Sequence, residues 1–186
     1  MWSCGDEAIR NLWSLDSNTI FLNHGSYGGV PLKVRQEYSS IQSQIEKNPV
    51  KFLSRDLPER LMNIRRTLAQ RLNADPEGFA FVSNATSGVG AVLASLPFTE
   101  GDEIAFHNHG YGWVRQGLQN LARSRGVVVR EALIPMRPKG KSEIVSAFEK
   151  IIGKKTKLVV CDHVTSSTAL VFPVQEIVEL ARSKGV

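Results

Sequence analysis

From residue 79 onward, short apolar runs alternate with segments of helix length, and this alternation constrains the fold more than any other feature. Residues 79–82 read as a buried strand and 85–96 as a helix of small residues. Residues 103–106 give a second strand, followed by a helix over 113–125 that Gly126 ends. The third strand spans 127–133, with a helix over 142–152 ended by Gly153. The fourth strand covers 157–161 and its helix 174–184, where Gly185 suits the position after a helix end. Strands separated by helices require right-handed crossovers, and so a largely parallel sheet with helices on its faces. Val186 reads as the first residue of a further strand.

The residues before this region are helical in pattern. Pro31 suits the start of a helix running to about Lys47, which Asn48-Pro49 interrupts. A second helix begins near Asp56, with Leu57, Leu61, Ile64, Leu68 and Leu72 recurring at helical spacing. The expected division is residues 1–75 as a loop and helical segment, and 76–186 as the first part of an α/β domain.

Composition excludes several classes. The 186 residues carry 23 Lys+Arg against 18 Asp+Glu, and 42% are hydrophobic, as in an ordinary globular protein. The basic residues are scattered and attend no recognisable motif, so nucleic acid is not expected as a partner. No apolar run nears the ~20 residues of a membrane span. The first residues hold acids and no apolar segment, which makes the cytoplasm the expected location. Two cysteines form no disulfide framework: Cys161 reads as a small core residue, and Cys4 sits near the terminus.

In open α/β sheets, ligands bind beyond the carboxyl ends of the strands. Three polar clusters fall there. Residues 83–88 open a helix, where free N–H groups and the helix dipole favour an anion; Thr86 and Ser87 add hydroxyls, although plain capping by Asn84 or Thr86 uses the same residues. Neither a Walker A nor a G-x-G-x-x-G loop is present, which disfavours a nucleotide. Residues 107–112 offer Tyr111 between two glycines, as a ring that stacks on a flat ligand or one that packs a loop. In the same cluster His107 and His109 read either as a metal pair or as hydrogen-bonded loop histidines. Residues 162–168 are rich in hydroxyls, suited to a phenolic oxygen or to closing turns, and Asp162 suits capping or catalysis. A fourth element, residues 21–31, is a Gly-containing loop carrying amide, imidazole and hydroxyl groups.

Taken together, FLNHGSYG (21–28), NPVKFL (48–53), LPERL (57–61), FVSNAT (81–86), HGYG (109–112), DHVTS (162–166) and TALVFP (168–173) resemble the pyridoxal-phosphate-dependent aminotransferase class V family, in its isopenicillin N epimerase-like branch. The resemblance implies the N-terminal part of a three-layer α/β/α large domain of the fold type I kind, with a mostly parallel sheet. It implies pyridoxal 5'-phosphate as cofactor, an amino acid as substrate with chemistry at Cα (epimerase, transaminase or cysteine desulfurase/lyase type), and a homodimer. Ala85 and Thr86 would hold the cofactor phosphate, Tyr111 would stack on the pyridine ring, and Ser166 would neighbour the ring hydroxyl oxygen. Asn23 and His24 would reach the substrate side. The family's Schiff-base lysine, and the aspartate that pairs with the pyridine nitrogen, match no residue of these 186. The chain alone is therefore expected to be inactive, with no catalytic residue of its own to name. Two alternatives stay open: a truncated, non-catalytic paralogue or dimerisation partner, and a metal-dependent hydrolase built on His107, His109 and Asp162.

Overall fold

The computed structural model describes residues 7–186, which fall into two compact units, one ending at Ala80 and the other spanning Phe81–Val186. Cys4 lies outside the described residues.

The first unit is helical. After α1 (Glu7–Arg10) a loop leads to α2 (Leu32–Lys47) and α3 (Pro49–Lys51). The break between α2 and α3 falls at Asn48, whose side chain accepts a hydrogen bond from the Lys51 N–H. A π-helical turn over Phe52–Asp56 buries Phe52 and runs into α4 (Leu57–Leu72). Asn73 ends α4 in the left-handed conformation (φ 51°), and the Ala74 N–H donates to the Ala69 carbonyl. Arg65 then ties the following 3-10 turn back to α4 by donating to the Pro76 and Glu77 carbonyls. The apolar stripe of α4 forms as its spacing requires, but Leu61, Ile64 and Leu72 are exposed; Ala69 is the buried residue of this helix.

The second unit holds the expected alternation with one strand fewer. It contains α5 (Ala85–Ser95), β1 (Glu103–His107), α6 (Gly112–Arg125), β2 (Val128–Ala132), α7 (Lys141–Glu149), β3 (Thr156–Val159) and α8 (Val174–Ser183). The sheet order is β2-β1-β3 and both pairings are parallel; Glu103 faces Val128 on one side and Thr156 on the other. Residues 79–82 form no strand, and Phe81 is 49% exposed. Phe79 does have extended dihedrals (φ −107°, ψ 125°). Apolar, strand-forming residues favour that local conformation, but a strand also needs ladder pairing, and the described sheet consists of β2, β1 and β3.

Two apolar layers sandwich the sheet, as the period of two along a strand demands. Ile104 and Phe106 of β1 pack with Leu93 of α5 and with Leu118 and Leu121 of α6. Ala105 faces the other way, toward Ile144 and Phe148 of α7 and Ile177 of α8. The unit is thus a three-layer α/β/α arrangement. Cys161 packs, half-buried, against the second layer. Among the described residues no helix is long and apolar enough to cross a membrane.

Candidate functional site

The carboxyl rim of the sheet is where β1, β2 and β3 deliver their polar residues. The C-terminal ends of α5 and α6 lie together at the opposite rim: Arg125 donates to the Ala94 and Leu96 carbonyls, and the Gly101 N–H donates to the Gly126 carbonyl at 2.9 Å. Eleven residues of α5 rise about 16 Å, which returns its N-terminus to the carboxyl rim. Ala85 and Thr86 therefore share that rim with Tyr111 at the start of α6 and with Ser166 in the loop after β3.

At α5, Asn84 is the N-cap: its Oδ1 accepts the Ser87 N–H at 2.8 Å, and its carbonyl accepts the Gly88 N–H. Capping by Asn84 is thus present, and it leaves the Ala85 and Thr86 N–H groups pointing out of the first turn with no bond to another described residue. Both residues are exposed. Such a turn, with the helix dipole behind it, suits a bound anion.

Tyr111 stands before the first residue of α6 and is 41% exposed. Its neighbour Gly110 lies against the Cζ end of the Phe106 ring so closely that a Cβ there would overlap it. Ser166 and Ser167 are exposed at the tip of a hairpin in which Val164 pairs antiparallel with Val171. Ala169 takes a left-handed conformation (φ 51°) in that tip, a strained choice for a residue with a Cβ.

Asn23 and His24 belong to the first unit. There the Tyr27 N–H donates to the Asn23 carbonyl, the Gly29 N–H donates to His24 Nδ1 at 3.3 Å, and Trp13 donates to the Gly29 carbonyl at 3.0 Å. A ring nitrogen that accepts carries no proton, so in the neutral ring of the exposed His24 the proton is on Nε2.

The two histidines after β1 part company. His107 is fully buried on the Ala105 side of β1, between Phe106, Phe148 and Phe172. Its Nε2 lies 3.3 Å from the Asp162 N–H and 3.5 Å from Asp162 Oδ2, while Nδ1 has no partner. Burial, aided by the charges of His109 and Arg115, pulls its pKa down to about 4. Burial also pushes the Asp162 carboxyl up; since the His107 ring is uncharged well above pH 4, the contact is not an ion pair at neutral pH. Arg115 faces the same strand end, donating to the His107 carbonyl at 3.2 Å and pairing with Glu131.

His109, 4% exposed, spends both ring nitrogens inside the protein: Nε2 meets the Ile134 carbonyl at 2.8 Å and Nδ1 meets Thr168 Oγ1 at 2.9 Å. A metal pair is therefore corrected to two buried histidines in different hydrogen-bond settings. Among the described residues no three His, Cys, Asp or Glu side chains are arranged to hold a metal, and the hydrolase alternative loses its ligand set. Asp162 caps no helix; it backs His107. Within the hydroxyl cluster, Thr165 and Thr168 close the turn, and the two serines are left facing solvent. The spacing of the motifs carries no sign of Asn108 holding the Ile134 N–H and carbonyl, or of His109 reaching Thr168, because these partners lie 26 and 59 residues away.

Comparison with known proteins decides the family. The aminotransferase class-V model matches residues 29–186, well over half the chain. The chain belongs to the aminotransferase class V family. It is 37% identical to isopenicillin N epimerase of Amycolatopsis lactamdurans over 180 residues, which is 95% of this chain and 45% of that protein. The isopenicillin N epimerase of Streptomyces clavuligerus is 31% identical, with 97% and 45% covered. A probable chloroplastic L-cysteine desulfhydrase of Arabidopsis thaliana is 26% identical over 92% of this chain and 39% of that protein. The chain thus spans less than half the length of these relatives. Among solved structures, the K223A mutant of C-DES with glycine covalently linked to its PLP cofactor superposes with a TM-score of 0.80 at 24% identity, covering 90% of this chain and 44% of that one. The apo cysteine desulfurase of Thermococcus onnurineus NA1 gives 0.76 at 20% identity, covering 100% and 47%. These two likenesses establish the fold.

Proposed function

We propose that this chain forms the N-terminal part of the cofactor cradle in a pyridoxal-phosphate-dependent enzyme that acts on an amino acid at Cα. The observation that carries this reading is the open first turn of α5 at the carboxyl rim, inside a segment that the class V family matches throughout. Its donor set fits a phosphate monoester: two outward N–H groups, the Thr86 hydroxyl and no acidic side chain in the turn. Ala85 and Thr86 bind the phosphate, the Tyr111 ring covers one face of the pyridine, and the Ser166 hydroxyl faces the ring oxygen. Asn23 and His24 bind the substrate, with the His24 Nε2–H as a donor for an anionic group. When bound, the cofactor supplies an electron sink for charge developing at Cα. The relatives include epimerases and cysteine desulfhydrases. Racemisation, transamination and elimination all start from proton or group loss at that carbon. The enzyme works as a cytoplasmic homodimer. The test is equilibrium binding of pyridoxal 5'-phosphate to the protein and to Thr86→Val and Tyr111→Ala. Losing the hydroxyl bond to a charged phosphate costs about 1.5–3 kcal/mol, so Thr86→Val is expected to bind at least ~10-fold more weakly. Tyr111→Ala loses the stack, about 0.5–1.5 kcal/mol. Unchanged affinity in both variants would move the site elsewhere.

A further inference from the structure

The buried ring of His109, two residues beyond β1, connects the segment after β2 with the hairpin tip after β3. Its Nε2 lies 2.8 Å from the Ile134 carbonyl, two residues beyond β2. A carbonyl only accepts, so Nε2 carries a proton, and in the neutral tautomer Nδ1 then accepts. The donor to Nδ1 is the Thr168 hydroxyl at 2.9 Å. With its proton committed, Thr168 Oγ1 accepts from the Thr165 hydroxyl at 2.8 Å, and Thr165 Oγ1 accepts in turn from the Leu170 N–H at 2.8 Å. The Thr165 hydroxyl also lies 3.4 Å from the Leu170 carbonyl, but the shorter contact is the one to Thr168, and the Ile134 carbonyl at the far end sets the direction of the series from the neutral ring onward. Thr165 is 2% exposed, so the series is closed to water on its inner side. It consumes none of the hydroxyls of Ser166 and Ser167, which remain free on the outer side of the same tip.

The other flank is equally constrained. Asn108 donates to the Ile134 carbonyl and accepts the Ile134 N–H, both at 2.9 Å. Gly110 rests on Phe106. The segment bearing His109 is thus pinned at both neighbours, and Tyr111 follows at once. We propose that His109 is a positioning residue: its neutral Nε2–H tautomer holds the Ser166 tip in a set position relative to Tyr111, so that the two faces offered to the ligand ring are built as one piece. The left-handed Ala169 supports this, because a strained residue persists where the surrounding bonds over-determine it.

This inference rests on the cofactor reading above, and two measurements keep the two apart. Ring 15N spectra of the protein without added cofactor are expected to show His109 with a proton on Nε2 and a bare Nδ1. A proton on Nδ1 would overturn the proposal whatever the protein binds. The second measurement is pyridoxal 5'-phosphate affinity, with near-ultraviolet and visible circular dichroism of the bound cofactor, for three variants. His109→Leu is expected to weaken binding about 10-fold and change the bound spectrum, since it removes the link between the Ile134 carbonyl, which keeps only Asn108, and the Thr168 hydroxyl, which keeps only Thr165. Thr168→Val, which cuts the series at its middle, is expected to move both readouts the same way. His109→Gln, whose amide keeps one donor and one acceptor, is expected to restore affinity to within about threefold. If His109→Leu and Thr168→Val fold and bind with wild-type affinity and spectrum, His109 is no more than a core residue. If the unaltered protein binds no cofactor while the tautomer is as stated, the cofactor reading fails, and the positioning role toward that ligand fails with it.

Discussion

Gly110 and Gly112 flank Tyr111 in one short motif, yet alanine at the two positions should act in opposite directions. A Cβ at residue 110 would overlap the Phe106 ring: even Cε1, the most distant of the three ring carbons it meets, would be 2.7 Å away. Carbon atoms rest about 3.5–4.0 Å apart, so ring or loop must retreat by roughly 1 Å or more. Phe106 has no free direction: it is 1% exposed, lies in the core layer of Leu118 and Leu121, and has the Arg115 guanidinium 5.3 Å from its centroid. Overpacking of this kind costs about 1–3 kcal/mol. A middle value of about 2 kcal/mol lowers the folding constant roughly 30-fold. At residue 112 nothing lies within 4 Å of an added Cβ, and the site is the first residue of α6. Alanine there should be neutral or stabilise by a few tenths of a kcal/mol through helix propensity, less than the roughly 1 kcal/mol gained in a helix interior. Urea unfolding followed by far-ultraviolet circular dichroism measures both. Adding Phe106→Leu to Gly110→Ala should recover part of the loss, so that the double variant is more stable than the two single losses summed. A Gly110→Ala protein within about 0.5 kcal/mol of wild type, well below the overpacking range, would refute the reasoning. So would equal effects at the two glycines.

Three further outcomes follow from the same structure. His107 takes up a proton near 6.5 in the unfolded chain but only at about 4 in the fold, so the unfolded state binds more protons between these values. The stability tied to this residue is whole above pH 6.5 and lost as the pH falls toward 4, by up to about 3 kcal/mol; urea midpoints from pH 7 to 4.5 should fall more steeply for wild type than for His107→Gln. Burial, with the Asp162 charge beside it, pushes the Cys161 thiol up to about 11; at pH 8 only about one molecule in a thousand carries the thiolate, so a thiol reagent should label Cys161 slowly in native protein and fast in urea, and equal rates would contradict its burial. Gly126 ends α6 at φ 69°, where a Cβ would stand 2.7 Å from Glu100 Cγ; Gly126→Ala should cost about 1 kcal/mol or more in thermal or urea unfolding.

Local chemistry explains what was legible in the sequence. Gly126 and Gly185 have positive φ as helix-ending glycines should, Asn84 caps α5, and alternating apolar segments become three parallel strands with helices on both faces. Residues 79–82 form no strand although Phe79 has the extended dihedrals that its residue type favours, because local conformation alone does not make a ladder: the described sheet is β2-β1-β3. The helix expected over 142–152 stops at Glu149, where the Ile151 N–H turns to the Phe148 carbonyl three residues back instead of four. The leucine stripe of α4 announced a helix correctly, and because periodicity reports a face and not what covers it, it left open that Leu61, Ile64 and Leu72 are exposed. At the rim, the residue types suggested a ligand site, whereas the division of labour within each cluster was hidden. Thr165 and Thr168 face inward while Ser166 and Ser167 face outward, and His107 and His109 are both buried although they sit where a loop reads as exposed. Long-range partners such as Ile134 make those choices, and no spacing rule encodes them.

The central claim is that the first turn of α5 holds the phosphate of the cofactor. The most direct measurement compares the affinity of the purified protein for pyridoxal 5'-phosphate with its affinity for pyridoxal, which has the same ring and aldehyde and lacks the phosphate. Two or more charge-assisted hydrogen bonds at about 1.5–3 kcal/mol each should make the phosphorylated form at least ~100-fold tighter, with much of that gap closed by Thr86→Val. Equal affinities for the two compounds, or a gap that Thr86→Val leaves untouched, would contradict it.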